Sequence, residues 1–97
     1  MTKAAAKRDV TVRRNPDILF REIEGESVLL DPDQGTYYTL NETGTAVWNL
    51  IEEPTPVTGL IATLLEQYEV TPEQAKSEVD KLLQDLQEHR LVEMGES

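Results

Sequence analysis

His89 is the one histidine of this chain and there is no cysteine, so the usual nucleophiles and bases of covalent catalysis are nearly absent. His89 falls near the end of a predicted long helix, where a cation offsets the helix dipole. No partner constellation is spaced around it, so the sequence points to a helix-end role rather than catalysis. Carboxylates are many but scattered through turns and helix surfaces. Asp31 and Asp33 flank Pro32 and read as turn formers. A calcium loop would need more oxygen ligands at tighter spacing. There is no glycine-rich phosphate cradle and no nucleophile elbow. Without cysteine, disulfides, zinc–thiolate sites and thiol nucleophiles are excluded. The residue types predict no enzyme, no cofactor and no metal, and leave recognition as the chemistry to look for.

The candidates for recognition are Trp48, Tyr37 and Tyr38. Trp48 lies one position off an apolar stripe of Ala46, Val47, Leu50 and Ile51 and reads as a core anchor. Tyr37 and Tyr38 are adjacent on a predicted strand, so they point to opposite faces. Leu40 follows Tyr38 at period two, which turns Tyr38 and Leu40 toward the helices and Tyr37 and Thr39 outward. In a three-strand meander, Thr36 to Leu40 is an edge with one row of backbone groups unpaired. Neither Lys nor Pro blocks it. Cover by a helix or a second copy, and addition of a peptide as a further strand, both satisfy such an edge.

The elements that must position this edge follow from local chemistry. Val10 and Val12 alternate with Thr11 and Arg13, giving a short strand or an extended lead-in. Asn15-Pro16-Asp17 is a turn signal. Ile18 to Ile23 predicts a strand with Ile18, Phe20 and Ile23 as its main apolar residues. Glu24-Gly25-Glu26 is a hairpin turn, Ser27 to Asp31 a second strand, and Pro32, Asp33 and Gly35 supply the next turn. Thr36 to Leu40 completes an antiparallel meander. Asn41 caps a helix from Glu42 to about Ile51, which Glu52-Glu53-Pro54 stops. Thr55-Pro56 and Thr71-Pro72 each open a helix, with Thr as cap and Pro at the first position. Thr71 and Gln74 fit a capping box. The second helix would bury Leu60, Ile61, Leu64 and Leu65. The third, Pro72 to about Glu88, carries the stripe Ala75, Val79, Leu82, Leu83 and Leu86. Leu91-Val92 would close the chain as a short extension. Three strands followed by three helices make an α+β domain.

Ninety-seven residues suit one core. Residues 1–8 predict a disordered basic tail, and residues 9–97 a single domain. The formal charge is −10. In the first fourteen residues Lys3, Lys7, Arg8, Arg13 and Arg14 stand against Asp9 alone, so a basic tail precedes a strongly acidic body. Phosphate contacts need Lys and Arg, and the first two helices contain neither, which argues against nucleic acid. No apolar run is long enough for a signal peptide or a membrane span, predicting a soluble, cytoplasmic chain without membrane contact.

The stretch Leu29-Leu30-Asp31, then Gly35-Thr-Tyr-Tyr-Thr-Leu-Asn-Glu-Thr-Gly44, then Trp48 resembles the signature of the pyrroloquinoline quinone biosynthesis protein D family. These are small non-catalytic domains that recognise leaders of ribosomally made precursor peptides. The resemblance runs over residues 10 to 93 and includes the closing pair Leu91-Val92. It departs at His89-Arg90, where the family often has glycine. It implies a winged helix-turn-helix arrangement. It implies a leader peptide added as a strand on Thr36 to Leu40, with the third helix as the other wall. The peptide site then comprises Leu30, Thr36, Tyr37, Tyr38, Thr39 and Leu40; on a helical wheel of the third helix the Leu83 flank, with Lys76, Val79, Asp80 and Gln87, is the more apolar and less charged boundary and is expected to face the groove. The implied partners are a precursor leader and a peptide-modifying enzyme, either a radical SAM enzyme or a leader peptidase. A winged-helix DNA-binding regulator and an oligomerisation module, homodimeric through the same edge, are the alternatives.

Overall fold

The computed structural model describes residues 10–96, and the expected tail at residues 1–8 lies outside them. The elements are β1 (Val10–Arg14), β2 (Leu19–Ile23), β3 (Glu26–Asp31), β4 (Thr36–Leu40), α1 (Glu42–Leu50), β5 (Thr55–Pro56), α2 (Val57–Gln67), α3 (Pro72–Glu88) and β6 (Val92–Glu96). The three-strand meander followed by three helices is present as β2-β3-β4 and α1 to α3. A second antiparallel sheet, ordered β5-β1-β6, joins the segment before the meander to the α1–α2 connection and to the strand after α3. The lead-in at Val10 and the closing extension at Val92 are each other's partners, in register from Val10↔Glu96 to Arg14↔Val92. Val12 of the one and Val92 of the other are both buried in the common core.

Both hairpins of the meander follow from turn chemistry. Glu24 and Gly25 are the two residues between paired Ile23 and Glu26, and both have positive φ, 52° and 85°. That is the primed turn whose twist matches the flanking strands. At the next hairpin the Asp31 carboxylate accepts the Asp33 and Gln34 amides, and Gly35 takes φ 66° while donating to the Asp31 carbonyl at 2.7 Å.

The Asn41 side chain caps α1 by accepting the Gly44 amide at 2.9 Å. A Cβ on Gly44 would stand 3.2 Å from Leu40, so its glycine lets the helix close on β4. At the next residue, the buried hydroxyls of Thr45 and Ser27 meet at 2.9 Å. The buried face of α1 is Gly44, Thr45, Val47 and Trp48, continued by Ile51 beyond the helix. Ala46 and Leu50, expected in its stripe, are half-buried, and Trp48, expected to flank it, is fully buried.

The Thr55-Pro56 expectation is corrected. These residues pair with β1 as a short strand, Thr11↔Pro56 and Val12↔Thr55, and Pro56 takes the N-cap position without a side-chain cap. The Thr55 hydroxyl donates instead to the Leu50 and Glu53 carbonyls at 2.9 and 2.8 Å. Proline is tolerated because β5 is an edge. In α2, Leu60 and Leu64 are buried, Ile61 is half-buried and Leu65 is 37% exposed. In α3 the capping box of Thr71 and Gln74 is complete. Its buried residues are Ala75, Val79, Leu83 and Leu86, so Leu83 is core, while Leu82 is half-buried.

The His89-Arg90 departure has a geometric consequence. The Leu91 amide donates to the Leu86 carbonyl at 2.8 Å and the Arg90 amide to the Gln87 carbonyl at 3.0 Å. These are the two bonds of a Schellman helix end, whose turning residue is usually glycine. Arg90 holds it with φ 59°.

Two outcomes are expected in chemical denaturation. Arg90→Gly relieves a left-handed side chain and should raise stability by roughly 1 kcal/mol. An unchanged midpoint would show that Arg90 carries no strain. Trp48→Ala removes the largest fully buried side chain and should cost about 3–5 kcal/mol.

Candidate functional site

β4 lies at one end of its sheet and, among the described residues, pairs only with β3. Its outer row of alternate amides and carbonyls is the site's first component. Register fixes which side chains flank that row. Tyr38 stands beside Leu29, and Leu40 beside Ser27, both partners fully buried or nearly so. Tyr37 and Thr39 share the opposite face, and Tyr37 is 72% exposed. The inward Tyr38 and outward Tyr37 are as the period-two pattern predicts.

The second component is the end of α3. The Tyr38 hydroxyl approaches the Asp85 carboxylate at 3.5 Å, the outer limit of a hydrogen bond. The Tyr38 and His89 rings lie 4.9 Å apart between centroids, tilted by 55°. His89 Nδ1 is 2.8 Å from the Asp85 carbonyl oxygen, so its ring is held at the helix end. Partial burial, then the negative charge of Asp85 and the bond to it, raise the Tyr38 phenol above its ordinary 10.0. Tyr38 is therefore a neutral hydroxyl at physiological pH, able to donate or accept.

The structure divides the expected site residues among three places. Thr36, Tyr37, Tyr38, Thr39 and Leu40 form the edge. Leu30 is half-buried and paired with Tyr37, on the outer face of the sheet. Lys76, Asp80, Leu83 and Gln87 belong to neither. At 100° per residue they stand about 140–200° around α3 from Asp85. They line a cavity of ≈ 490 Å³ together with Val57, Ile61 and Met94. Lys76 there binds Asp80 at 3.0 Å. Val79 is fully buried and Leu83 is 3% exposed, so both serve the core. The flank of α3 that meets β4 is the charged one, with Asp85 and His89, which sequence reasoning passed over. Its signal was weak: a polar phenol turned inward at Tyr38 needs a polar partner, and Asp85 is on the helix opposite.

Among the described residues no helix is long and apolar enough to cross a membrane. The model of the family described as coenzyme PQQ synthesis protein D matches residues 26–92. No curated protein matches the chain. Among solved structures, TbiB1 in complex with the TbiA(beta) leader peptide is 25% identical, with a TM-score of 0.78 over 84% of this chain and 94% of that one. Lasso peptide synthetase B1, complexed with the leader peptide, has a TM-score of 0.75 at 24% identity, over 84% of this chain and 96% of its own, a likeness of fold.

The raised Tyr38 phenol sets a pH dependence. Its contribution to stability is complete below the unfolded tyrosine value of about 10 and is lost as pH rises through the higher folded value. Absorbance titration at alkaline pH should lose its transition above 10 in Tyr38→Phe. In Asp85→Asn that transition should move to lower pH; if it stays where the wild type has it, Asp85 does not act on the phenol.

Proposed function

The chain belongs to the family of coenzyme PQQ synthesis protein D, and we propose that it binds the leader segment of a ribosomally made precursor peptide as a strand added to β4. The observation that carries this reading is the edge itself: Thr36–Leu40 pairs on one side only, among the described residues, and has no Lys or Pro to block the other. The end of α3 stands beside it through Asp85 and His89. The similarity to TbiB1, a protein solved with a leader peptide, supports the same reading.

An added strand of about five residues makes a few backbone hydrogen bonds, each contributing about 1 kcal/mol net. Micromolar binding requires roughly 8 kcal/mol. Side-chain contacts must supply much of the difference. Leader residues turned inward would meet Tyr38, Asp85 and His89. Those turned outward would continue the row of Tyr37 and Thr39. The domain would not be catalytic. Its service is tethering: a leader held here keeps its core peptide at high effective concentration near a docked modifying enzyme, a radical SAM enzyme or a leader peptidase. The acidic body and the absence of Lys and Arg from α1 and α2 argue against DNA binding.

The test is calorimetric titration with the leader of the precursor peptide encoded beside this chain, followed by amide shifts. Shifts should centre on Thr36–Leu40. Tyr38→Ala combined with His89→Ala should weaken binding at least tenfold, about 1.4 kcal/mol. Lys76→Ala and Gln87→Ala, on the far flank of α3, should leave it within about twofold. The reverse pattern would move the peptide to the α2–α3 cavity. A wild type that is dimeric, with its β4 amides protected before leader is added, would give the edge to a second copy.

A further inference from the structure

Beyond Tyr37 and Thr39 at the leader edge, the solvent face of the β2-β3-β4 sheet has a composition that leader binding does not use. Register stacks Leu19, Leu30 and Tyr37 in one row across all three strands, and Arg21, Val28 and Thr39 in the next, with Ile23 beside Glu26 beyond them. Leu19 is 57% exposed, Ile23 55% and Val28 36%. An antiparallel sheet with one solvated face ordinarily alternates apolar-in and polar-out, whereas here five of the eight outward strand positions are apolar, Leu19, Ile23, Val28, Leu30 and Tyr37, beside Arg21, Glu26 and Thr39. Of the six large apolar side chains exposed among the described residues, four lie on this face: Leu19, Ile23, Val28 and Tyr37. A contiguous apolar patch with a polar rim marks an interaction surface.

The rim says what fits. Glu24 and Glu26 stand at one end of the sheet and Asp17 and Asp33 near the other, all exposed. A second copy laid on this face would bring those acids, and a body more acidic than the whole-chain −10, against themselves. A heterologous partner with an apolar centre and a Lys/Arg rim meets both features. The face also adjoins β4, so an added leader strand would extend it with its outward side chains.

We propose that this sheet face docks the enzyme that acts on the bound precursor, through an apolar patch bordered by basic residues on that enzyme. This rests on the leader-binding reading for the partner's identity, and the surface is distinct from the groove. Docking here would leave the α3 side of β4 open, so leader and enzyme would be held at once and the enzyme would sense the occupied edge directly.

The experiment titrates the modifying or leader-cleaving enzyme encoded beside this chain into wild type and into a Leu19→Asn, Val28→Thr double variant, without leader. Both positions are exposed, and threonine keeps the β-branching of valine. The double variant should bind the enzyme at least tenfold more weakly while its leader affinity stays within about twofold, which also reports an intact fold. Glu24→Lys with Glu26→Lys should slow association and flatten its salt dependence. Unchanged enzyme affinity in the double variant would overturn the proposal. So would a wild-type dimer in sedimentation that the double variant dissolves, since a second copy would then own the face. Failure of leader binding at β4 with enzyme docking still lost in the variant would sink the groove and leave the docking face standing.

Discussion

The Arg14 guanidinium joins the parts of this domain. It leaves β1, lies 4.5 Å from the ring centroid of Phe20 on β2 and 4.9 Å from that of Trp48 on α1, and donates from Nε to the Trp48 carbonyl at 2.9 Å. The Phe20 and Trp48 rings meet edge-on at 5.8 Å. One cation thus ties the β5-β1-β6 sheet to the β2-β3-β4 sheet and to the first helix. Burial lowers the Arg14 pKa, with Glu52 acting in the opposite direction, yet a guanidinium stays charged at any physiological pH. Stacked on two aromatic faces, the group stays charged where the joint is partly dry. The buried Trp48 Nε1 has no hydrogen-bond partner among the described residues, so the ring is kept for its packing.

With that joint made, the freedom of the remaining elements is small. Trp48 fixes the rotation of α1, and Gly44 with the Ser27–Thr45 contact fixes its height on the sheet. β4 runs into α1 through Asn41 alone, so the edge strand is held at its end by a capped helix and along one side by β3. The other side is left for a partner. A strand held this rigidly loses little entropy when a peptide pairs with it, which is how a short contact reaches useful affinity. α3 reaches the same place from the far end of the chain. The Schellman bonds at Leu86 and Gln87 end it where His89 can lie against Tyr38.

The charge distribution supports a division of surfaces. The described body is acidic and its two candidate contact surfaces differ in kind. The edge of β4 has polar groups beside it, Tyr38 with Asp85 and His89 from the end of α3. The outer sheet face carries Leu19, Ile23, Val28, Leu30 and Tyr37 beside Arg21 and Thr39, with acids at its ends, and is broader than a single strand would need.

Local chemistry in the sequence determined the elements themselves. Turn residues at Glu24-Gly25 and Pro32 to Gly35 set the meander, Asn41 and Thr71 start two helices where expected, and period two orients Tyr37 and Tyr38 correctly. These signals lie within a few residues of what they specify. The partnership of β1 with β6 joins segments some eighty residues apart, and no local pattern in Val10–Arg14 announces it. Thr55-Pro56 carries the chemistry of a helix start, and tertiary pairing with β1 overrides it. The flank of α3 that faces β4 was likewise beyond the helical wheel. Leu83 and Leu82 stand on either side of the core direction, and which of them is buried depends on where α2 and β6 press against the helix. Packing buried Leu83 and turned Asp85 and His89 to the edge strand, because a helix has one rotation and its neighbours choose it.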